Sequence, residues 1–309
     1  MTEYVVYAVD EDYWMPLYVS IYSLLTNNRD RSLEIYVLFA ERNETFFDRL
    51  GSLEAVHDDV TVEGIRVDET RFRSAPTPHW FTAANLYRFS LGSLLPLSDE
   101  TVLYLDCDTI VHRSLEDLFT LDLGDSAVAA VPEYKLKSLE LGMPVDDLFY
   151  NAGVMRIDLT AWEQYDVGER AISQYSSGIE VDFPVQEVLN PILNGDDLWT
   201  PLHPKYNAMT NWAEVLDAET NERPVIVHFT GREKPWQYTT ERPYKDLWWD
   251  YLDETPYSDY RPPDRTISNR LIKTRNRLAS SLVETLEHRL EPYSRVYDTA
   301  ETAYRLLSG

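Results

Sequence analysis

Short apolar segments alternate with polar ones along the first third of the chain. The segments EYVVYAV, LEIYVLFA, VTVEGIRV and TVLYL each have the length and composition of a buried strand. After the first of them, apolar residues recur at helical spacing from Leu17 to Leu25, just beyond Pro16. Because alternating strands and helices build parallel sheets with right-handed crossovers, we expect an α/β fold with ligands at the carboxyl edge of its sheet.

The texture of the sequence changes after about Thr255. Residues 257–264 are rich in Pro, Tyr and Asp, and beyond them Ile and Leu recur at helical spacing as far as Leu290. This pattern predicts a catalytic domain over residues 1–255 and a linker with an amphipathic helical tail over residues 256–309.

The charge balance excludes some partners. The 309 residues include 53 acidic and 28 basic side chains, which gives a formal net charge of -25. A field of this sign repels phosphates, so nucleic acid is excluded as a partner. A surface this acidic is typical of proteins from a high-salt cytoplasm, where charge repulsion is screened, and an ordinary acidic enzyme is the alternative.

The start of the chain and its cysteine content bear on location. The single Cys107 excludes an internal disulfide framework. The first residues lack a basic region and a cleavage site, and no apolar run is long enough to span a bilayer. We therefore expect a cytoplasmic protein.

The predicted tail begins with a basic segment. Arg and Lys cluster between Arg261 and Arg277, with only Asp264 opposing them. An amphipathic helix with a basic start can lie on the anionic inner face of a membrane. Alternatively, the helix packs its leucines on the catalytic domain or on a second copy of the chain. Peripheral membrane contact and self-association both stay open at this point.

Two acidic residues follow the fourth apolar segment directly. Asp106 and Asp108 flank Cys107, and in extended geometry side chains two apart point to one face. The two carboxylates can then converge on a hard cation. A solvated acidic turn is the alternative reading of this pair in so acidic a chain.

A second strand end carries a different set of polar groups. In VIVHFTGREKPW an apolar run ends at His228, and Gly231 and Lys234 follow. The glycine allows a ligand to approach the backbone closely, and the lysine can meet a phosphate as a point charge. A structural histidine is the alternative.

Four ordered motifs carry a resemblance to a known family. The segments YLDCDTIVHRSLEDLF, FYNAGVMRID, QEVLN and HFTGREKPW are similar to the signature of glycosyltransferase family 8, which includes glycogenin and bacterial lipopolysaccharide galactosyl- and glucosyltransferases. The resemblance spans roughly Glu3 to Trp236. It implies a GT-A fold, which is a Rossmann-like mixed sheet with flanking helices. It also implies retaining transfer of a hexose from a UDP-sugar, assisted by manganese.

The resemblance assigns roles to positions in this chain. Asp106, Asp108 and His228 would hold the metal, and the imidazole favours Mn²⁺ over Mg²⁺, which is the alternative ion. Lys234 and the Gly231 backbone would stabilise the departing UDP, so Lys234 counts as both a catalytic and a donor-binding residue. Further donor-binding residues would be Ala8, Asp10 and Asp12 at the uridine, Arg88 at the donor, and Asn207 near the nucleotide, where a plain turn is the alternative.

Two further positions would act at the sugar. Asn151 in FYNAG would contact the sugar or the acceptor, and Gln186 would face the anomeric carbon. The family pattern places Asp before this glutamine, whereas this chain has Val185. The departure leaves no obvious nucleophilic carboxylate, since Asp182 or Glu187 could replace it only after a rearrangement. We therefore favour a front-face mechanism, in which the metal-bound diphosphate helps to deprotonate the acceptor, over a covalent intermediate.

Two other functions compete with this reading. A haloacid dehalogenase-type phosphatase would use Asp106 as its nucleophile, and a non-catalytic protein of the same fold would only bind a sugar nucleotide. The acceptor of a transferase would be a saccharide or a lipid-linked glycan. The sequence does not specify the sugar.

Overall fold

The computed structural model of this chain describes residues 2–72, 82–133, 148–178, 183–210 and 223–275. They fall into two compact units, one ending at His228 and one beginning at Phe229. The predicted boundary after residue 255 stays a prediction. Residues 276–309 of the predicted tail lie outside the described residues, and so does Asp182.

The first unit contains two sheets. Its strands are β1 (Thr2–Val9), β2 (Ser32–Phe39), β3 (Val60–Arg66), β4 (Thr101–Leu105), β5 (Thr109–Val111), β6 (Val128–Glu133), β7 (Phe149–Asp158), β8 (Trp199–Pro201), β9 (Ala208–Met209) and β10 (Ile226–His228). Among the described residues, the larger sheet has seven strands in the order β3-β2-β1-β4-β7-β6-β8, and the smaller has the order β5-β10-β9. The four apolar segments of the sequence are the strands β1 to β4, as predicted.

The direction of the strands defines the functional edge of the larger sheet. β1 pairs in parallel with β2 and β4, β2 with β3, and β6 with β8. β7 alone among these seven described strands runs the other way, antiparallel to β4 and β6. The carboxyl ends of β1, β4 and β6 therefore lie at the same edge as the beginning of β7. The sheet is mixed, as the sequence analysis expected.

Short helices flank the sheet. In the described part of the first unit these are α1 (Trp14–Asn27), α2 (Glu44–Arg49), α3 (Gly51–Glu54), α4 (Leu91–Leu94), α5 (Glu116–Phe119), α6 (Leu159–Gln164), α7 (Val167–Ser176) and α8 (Pro184–Gly195), with 3₁₀ helices at Glu69–Phe72, Ala83–Ser90 and Pro204–Tyr206. α8 begins with a proline, whose fixed φ suits the first helical position. Side chains of Asn43 and Asp158 cap α2 and α6 by accepting backbone N–H groups.

One cluster of the hydrophobic core lies between the larger sheet and the helices α6 and α8. Tyr36, Tyr104 and Met155 from three strands are fully buried together with Trp162 of α6 and Leu189 of α8. This removal of large apolar side chains from water stabilises the sheet by about 1.5–3 kcal/mol for each fully buried side chain. A rigid sheet can therefore hold polar groups at its edge in fixed positions.

Hydrogen bonds join α1 to the smaller sheet. The Ser20 and Thr109 hydroxyls are 3.0 Å apart, and the Val111 N–H donates to Ser23 Oγ at 2.9 Å. β10 pairs antiparallel with β5, so that His228 lies opposite Thr109. The smaller sheet thereby brings His228 beside the segment between β4 and β5.

The second unit contains α9 (Lys245–Asp253) and a helical stretch over residues 267–275. Trp248 of α9 is fully buried and packs against Trp236 and Trp249. The Trp249 indole N–H donates to the Pro235 carbonyl at 2.9 Å. Among the described residues of the chain, no helix has both the length and the hydropathy that a membrane span requires.

Candidate active site

A tight turn connects β4 to β5 and carries the two aspartates. The Thr109 N–H donates to the Asp106 carbonyl at 3.2 Å, and the Asp106 N–H donates to the Gly153 carbonyl of β7 at 2.8 Å. The expectation that extended geometry aligns the two carboxylates was wrong, because residues 106–108 leave the strand. Asp106 and Asp108 converge because the turn folds one toward the other.

His228 completes a group of three side chains that can hold a metal ion. Its Nε2 lies 3.2 Å from Asp108 Oδ1 and 3.7 Å from Asp106 Oδ2, and one ligand atom from each residue lies within 4.8 Å of the others. One ion with bonds of about 2.0–2.2 Å to oxygen and nitrogen can reach all three atoms. Asp108 and His228 are buried and Asp106 is partly exposed, so a ligand of the ion has access from the Asp106 side.

Gly153 of β7 forms the floor of this group. A methyl group at this position would lie 2.2 Å from His228 Cε1 and 2.7 Å from Asp106 Oδ2. Any other residue would therefore push the histidine or the carboxylate away. The glycine of the FYNAG segment lets the backbone of β7 lie close to the side chains of Asp106 and His228, as a compact metal site requires.

Arg88 and Tyr104 hold one oxygen of Asp106. Arg88 donates to Asp106 Oδ1 at 2.8 Å, and the Tyr104 hydroxyl donates to the same atom at 3.1 Å. Burial opposes the charge of Arg88, but neighbouring Asp106 raises the pKa of the guanidinium above its ordinary value. The second oxygen, Oδ2, is the one that faces His228. Outer partners of this kind fix the orientation of a metal ligand.

The predicted donor contact of Arg88 stays a prediction. The guanidinium is 3% exposed, and its other nitrogens donate to the Asn85 carbonyl at 2.9 Å and the Ala152 carbonyl at 2.5 Å. Every nitrogen of the side chain thus has a protein acceptor. What the contacts establish is that Arg88 orients Asp106.

Amide side chains continue the site behind His228. Asn207 accepts at Oδ1 from His228 Nδ1 at 2.9 Å and donates to Asn151 Oδ1 at 2.8 Å. Asn151 donates to Gln186 Oε1 at 3.3 Å. Gln186 in turn donates to Glu133 Oε2 at 2.6 Å. The structure therefore brings Asn151, Gln186 and Asn207 together with the three metal-ligating candidates.

The first turns of α8 are fixed to the start of β7. Asn190 accepts the Tyr150 N–H at 2.7 Å and donates to the Tyr150 carbonyl at 2.9 Å. Val185 is 5% exposed and belongs to the hydrophobic core. Glu187 accepts the Phe183 N–H at 3.2 Å, which occupies its carboxylate at the helix start. The QEVLN segment thus positions Gln186 by anchoring its helix.

The residues expected at the uridine lie at the end of β1 and just beyond it. Asp10 accepts from the Thr82 hydroxyl at 2.8 Å and from the Asp12 N–H at 3.0 Å, and burial raises the pKa of its carboxyl. Asp12 is exposed. The Ala8 carbonyl accepts from Cys107 Sγ at 3.1 Å, so Ala8 adjoins the aspartate turn. Burial also raises the pKa of the Cys107 thiol well above its usual value.

Gly231 and Lys234 lie in the second unit. Gly231 has a φ of +82°, a conformation that favours glycine. The Lys234 ammonium donates to the Phe229 carbonyl at 2.9 Å, and the Lys234 backbone N–H donates to Gln237 Oε1 at 3.0 Å. Their expected roles at the diphosphate stay predictions.

Sequence reasoning missed three residues of the site. Glu133 ends β6 just as Asp106 follows β4, so an acidic residue after an apolar strand was an available signal. Burial raises the pKa of Glu133, while Gln186 and His228 lower it. Tyr104 lies inside β4, where a tyrosine has the pattern of a core residue, and its hydroxyl donates to Asp106 two residues further on. Burial, followed by Asp108 and Asp10, raises the pKa of Tyr13, which places this phenol near the carboxylates.

Comparisons with known proteins agree with this arrangement. The sequence profile described as glycosyl transferase family 8 matches residues 4–240. General stress protein A of Bacillus subtilis (strain 168) is 32% identical over 79% of this chain and 90% of its own length. Lipopolysaccharide 1,2-glucosyltransferase of Escherichia coli (strain K12) is 27% identical over 75% of this chain and 72% of its own length.

A solved structure supports the fold. The galactosyltransferase LgtC, crystallised with donor and acceptor sugar analogues, superposes with a TM-score of 0.71 at 24% identity, covering 82% of this chain and 96% of its own. The mixed sheet and its flanking helices are therefore of the GT-A type. With the family profile spanning most of its length, this chain belongs to glycosyltransferase family 8.

Proposed function

We propose that this chain is a retaining hexosyltransferase that moves a sugar from a UDP-sugar to a saccharide or lipid-linked acceptor with the help of a divalent metal. The observation that carries the proposal is the convergence of Asp106, Asp108 and His228 at the sheet edge where Gln186 and Asn151 also meet. Metal ligands and sugar-directed amides on one edge suit a nucleotide diphosphate sugar.

The donor set favours Mn²⁺, with Mg²⁺ as the alternative. Two carboxylates suit either ion, but an imidazole ligand suits later and softer divalent ions. When bound, the ion would neutralise charge on the diphosphate of the departing UDP. Arg88 and Tyr104 keep Asp106 Oδ2 directed at this position, and Asn207 keeps the His228 ring in place.

We propose a front-face reaction at the anomeric carbon. The acceptor oxygen forms its bond to C1 on the face from which UDP departs, and the bond from C1 to the phosphate oxygen breaks. The acceptor proton passes to the departing diphosphate. This proposal gives the Glu133 carboxylate no nucleophilic role; its Oε2 accepts the Gln186 amide. Gln186 and Asn151 orient the sugar.

Several donor contacts belong to the same proposal. Ala8, Asp10 and Asp12 would meet the uridine, because the end of β1 adjoins the aspartate turn through Cys107. Lys234 and the Gly231 backbone would offset charge on the diphosphate. Arg88 and Asn207 would act at the donor mainly through the metal ligands that they contact.

A donor screen tests the proposal. Purified protein is incubated with UDP-glucose, UDP-galactose and their N-acetyl forms, with Mn²⁺ or Mg²⁺, at low and high salt. We expect UDP release that requires the metal, is faster with Mn²⁺, and gives a product of retained anomeric configuration by NMR. Turnover that survives exhaustive chelation, or a product of inverted configuration, would contradict the corresponding part of the proposal.

Two alternative functions compete with this proposal. Membership of a glycosyltransferase family argues against the phosphatase function. A non-catalytic sugar-nucleotide binding protein on the same fold is separated by the same screen. Such a protein would show binding of a UDP-sugar in calorimetry and would release no UDP with any acceptor.

We also propose that the basic segment mediates contact with an anionic membrane or with a second copy of the chain. Arg265, Arg270 and Arg275 are exposed in the second unit, and so are Ile267 and Leu271. Sedimentation with anionic vesicles at low and high salt, against a chain ending at Pro263, tests the membrane contact. Size-exclusion chromatography of both chains tests self-association. Adaptation to high salt predicts that turnover rises with salt concentration in the same preparations.

A further inference from the structure

A continuous line of side-chain hydrogen bonds joins His228 to Glu133. Its four links have donor–acceptor distances of 2.9, 2.8, 3.3 and 2.6 Å. The members, in order, are His228, Asn207, Asn151, Gln186 and Glu133, and we call this line the amide relay. It begins at a metal-ligating candidate and ends at a carboxylate that the family motifs do not include.

The amide relay has one direction. An ionised carboxylate can only accept hydrogen bonds, so Gln186 must turn its NH₂ group to Glu133 and its carbonyl to Asn151. Asn151 then turns its carbonyl to Asn207, and Asn207 turns its carbonyl to the ring of His228. Because that carbonyl can only accept, His228 must carry its proton on Nδ1. Its Nε2 is left with the lone pair, on the side of Asp106 and Asp108.

We infer that Glu133 is a positioning residue, whose carboxylate anchors one end of the amide relay: it fixes the orientation of Gln186 and, together with the Gly153 N–H, supports the Nδ1–H tautomer of His228. The inference rests on the proposed function for the reaction that these groups serve. It gives Glu133 no contact with the reacting atoms.

The links depend on Glu133 to different degrees. Asn151 has a second fixed partner, because its carbonyl also accepts the Gly153 N–H at 2.9 Å. Among the described residues, only the 3.3 Å bond from Asn151 is left to hold the Gln186 amide once Glu133 is removed. Loss of Glu133 should therefore act most strongly on Gln186 and more weakly on His228. Loss of Asn207, which contacts the ring directly, should have the opposite order of effects.

Burial makes the direction of the amide relay matter. Asn151, Asn207 and His228 are at most 4% exposed, so water is not available to replace a lost partner. A reversed amide would place two donors or two acceptors face to face, which is costly in a low-dielectric interior. The Glu133 carboxylate selects the orientation of Gln186, and the Gly153 N–H selects that of Asn151 in the middle of the line.

The first test reads the tautomer of His228 without sugar. Nitrogen-15 NMR of histidine-labelled protein saturated with diamagnetic Mg²⁺ at about pH 8, above the ordinary histidine pKa, distinguishes the Nδ1–H from the Nε2–H form. The His228→Gln variant identifies the signal. We expect the Nδ1–H form in the wild type. An Nε2–H form would overturn the amide relay whether or not the protein proves to be a transferase.

The second test measures Mn²⁺ affinity by calorimetry along the amide relay. We expect Asn207→Leu to weaken binding about tenfold and Glu133→Leu about threefold, since outer partners of metal ligands contribute tenfold or more when in direct contact. Glu133→Gln retains an acceptor and should restore most of the loss. The matched control is Glu63→Leu, at an exposed position of β3. Equal affinities of Glu133→Leu and Glu63→Leu would overturn the coupling.

Turnover separates this inference from the proposed function. If the wild type releases UDP, Glu133→Leu should lower kcat about tenfold or more with a smaller change in KM for the donor, because a misoriented Gln186 acts in the transition state. A change in KM alone would overturn the link to Gln186. If the wild type releases no UDP with any donor, the proposed function fails, and the tautomer still decides the amide relay.

Discussion

Two buried arginines lie at opposite edges of the larger sheet. At the carboxyl edge, Arg88 donates from every nitrogen to acceptors between 2.5 and 2.9 Å away, and Asp106 is one of them. At the other edge, Arg156 donates to the Phe119 carbonyl at 2.9 Å and lies 3.8 Å from Glu3. Among the described residues, its Nε has no hydrogen-bond partner.

The ion pairs Arg88–Asp106 and Arg156–Glu3 differ in their electrostatics and in what they hold in place. Asp106 raises the pKa of Arg88, whereas burial lowers the pKa of Arg156 despite Glu3. The pair at the carboxyl edge holds one carboxylate oxygen and leaves the other for a ligand. The pair at the opposite edge links the beginning of β1 to the end of β7. We therefore expect substitutions at the first edge to affect chemistry and those at the second to affect stability alone.

The largest effect is expected from the aspartates themselves. Asp106→Asn or Asp108→Asn should lower turnover roughly a thousandfold, which corresponds to about 4 kcal/mol of transition-state stabilisation by the metal. The fold should be retained, because the apolar residues of β4 fix the strand. UDP release and circular dichroism measure the two properties. Full activity in either purified variant would remove the metal assignment.

The next effect concerns the floor of the metal site. Gly153→Ala should weaken Mn²⁺ binding about tenfold or more and lower the free energy of unfolding by about 1–3 kcal/mol, because the added methyl group overlaps His228. Gly195→Ala is the matched control, since a methyl group there meets no atom within 4 Å. Calorimetry and urea unfolding give both values. Unchanged Mn²⁺ affinity would show that the ligands do not depend on this contact.

The same substitution at both arginines tests the comparison directly. Arg88→Lys should lower kcat about tenfold or more, since an ammonium cannot reproduce the fixed fork of the guanidinium. Arg156→Lys should leave kcat within about twofold while lowering the free energy of unfolding by about 1–3 kcal/mol. UDP release and urea unfolding are measured on both variants. Equal losses of kcat would remove the distinction between the edges.

The smallest effect is expected in the pH profile. Burial raises the pKa of Glu133, so its carboxylate takes up a proton at a higher pH than an exposed glutamate does. As pH falls, the wild type should therefore lose about twofold to threefold in kcat through protonation of this carboxylate. Glu133→Gln has no carboxylate at this position, and its acid limb should lack this loss. Identical acid limbs in both proteins would contradict the expectation.

Local signals predicted the fold well. Apolar runs identified β1 to β4 and the end of β10. β2 and β4 are buried over most of their length, which requires apolar residues on both faces, whereas β3 alternates between partly buried and exposed residues. The smaller sheet was not predicted, since β5 and β9 are too short to show a pattern and pair only through β10. The reversal of β7 was not visible either, because strand direction follows from connections and not from composition.

The site divides in the same way. The motifs predicted the three ligating candidates, and the structure brings them together. The turn that brings the two aspartates together was not predicted, because a segment of three residues such as Asp-Cys-Asp is compatible with both a strand and a tight turn. Tyr104 was missed because a tyrosine inside a buried strand has the pattern of a core residue, and Glu133 because its role depends on Gln186, far away in the sequence. Such pairings are decided by the sheet order.

The buried Cys107 has a practical consequence for biophysical work. It is the one cysteine of the chain, it is shielded from solvent, and its thiol resists ionisation, so thiol-reactive reagents meet no competing nucleophile in the native protein. A cysteine introduced at an exposed position such as Ser177 will carry a fluorophore or spin label as the sole label. Distances from such labels to a bound Mn²⁺ ion can then be measured without removing a native residue from the aspartate turn.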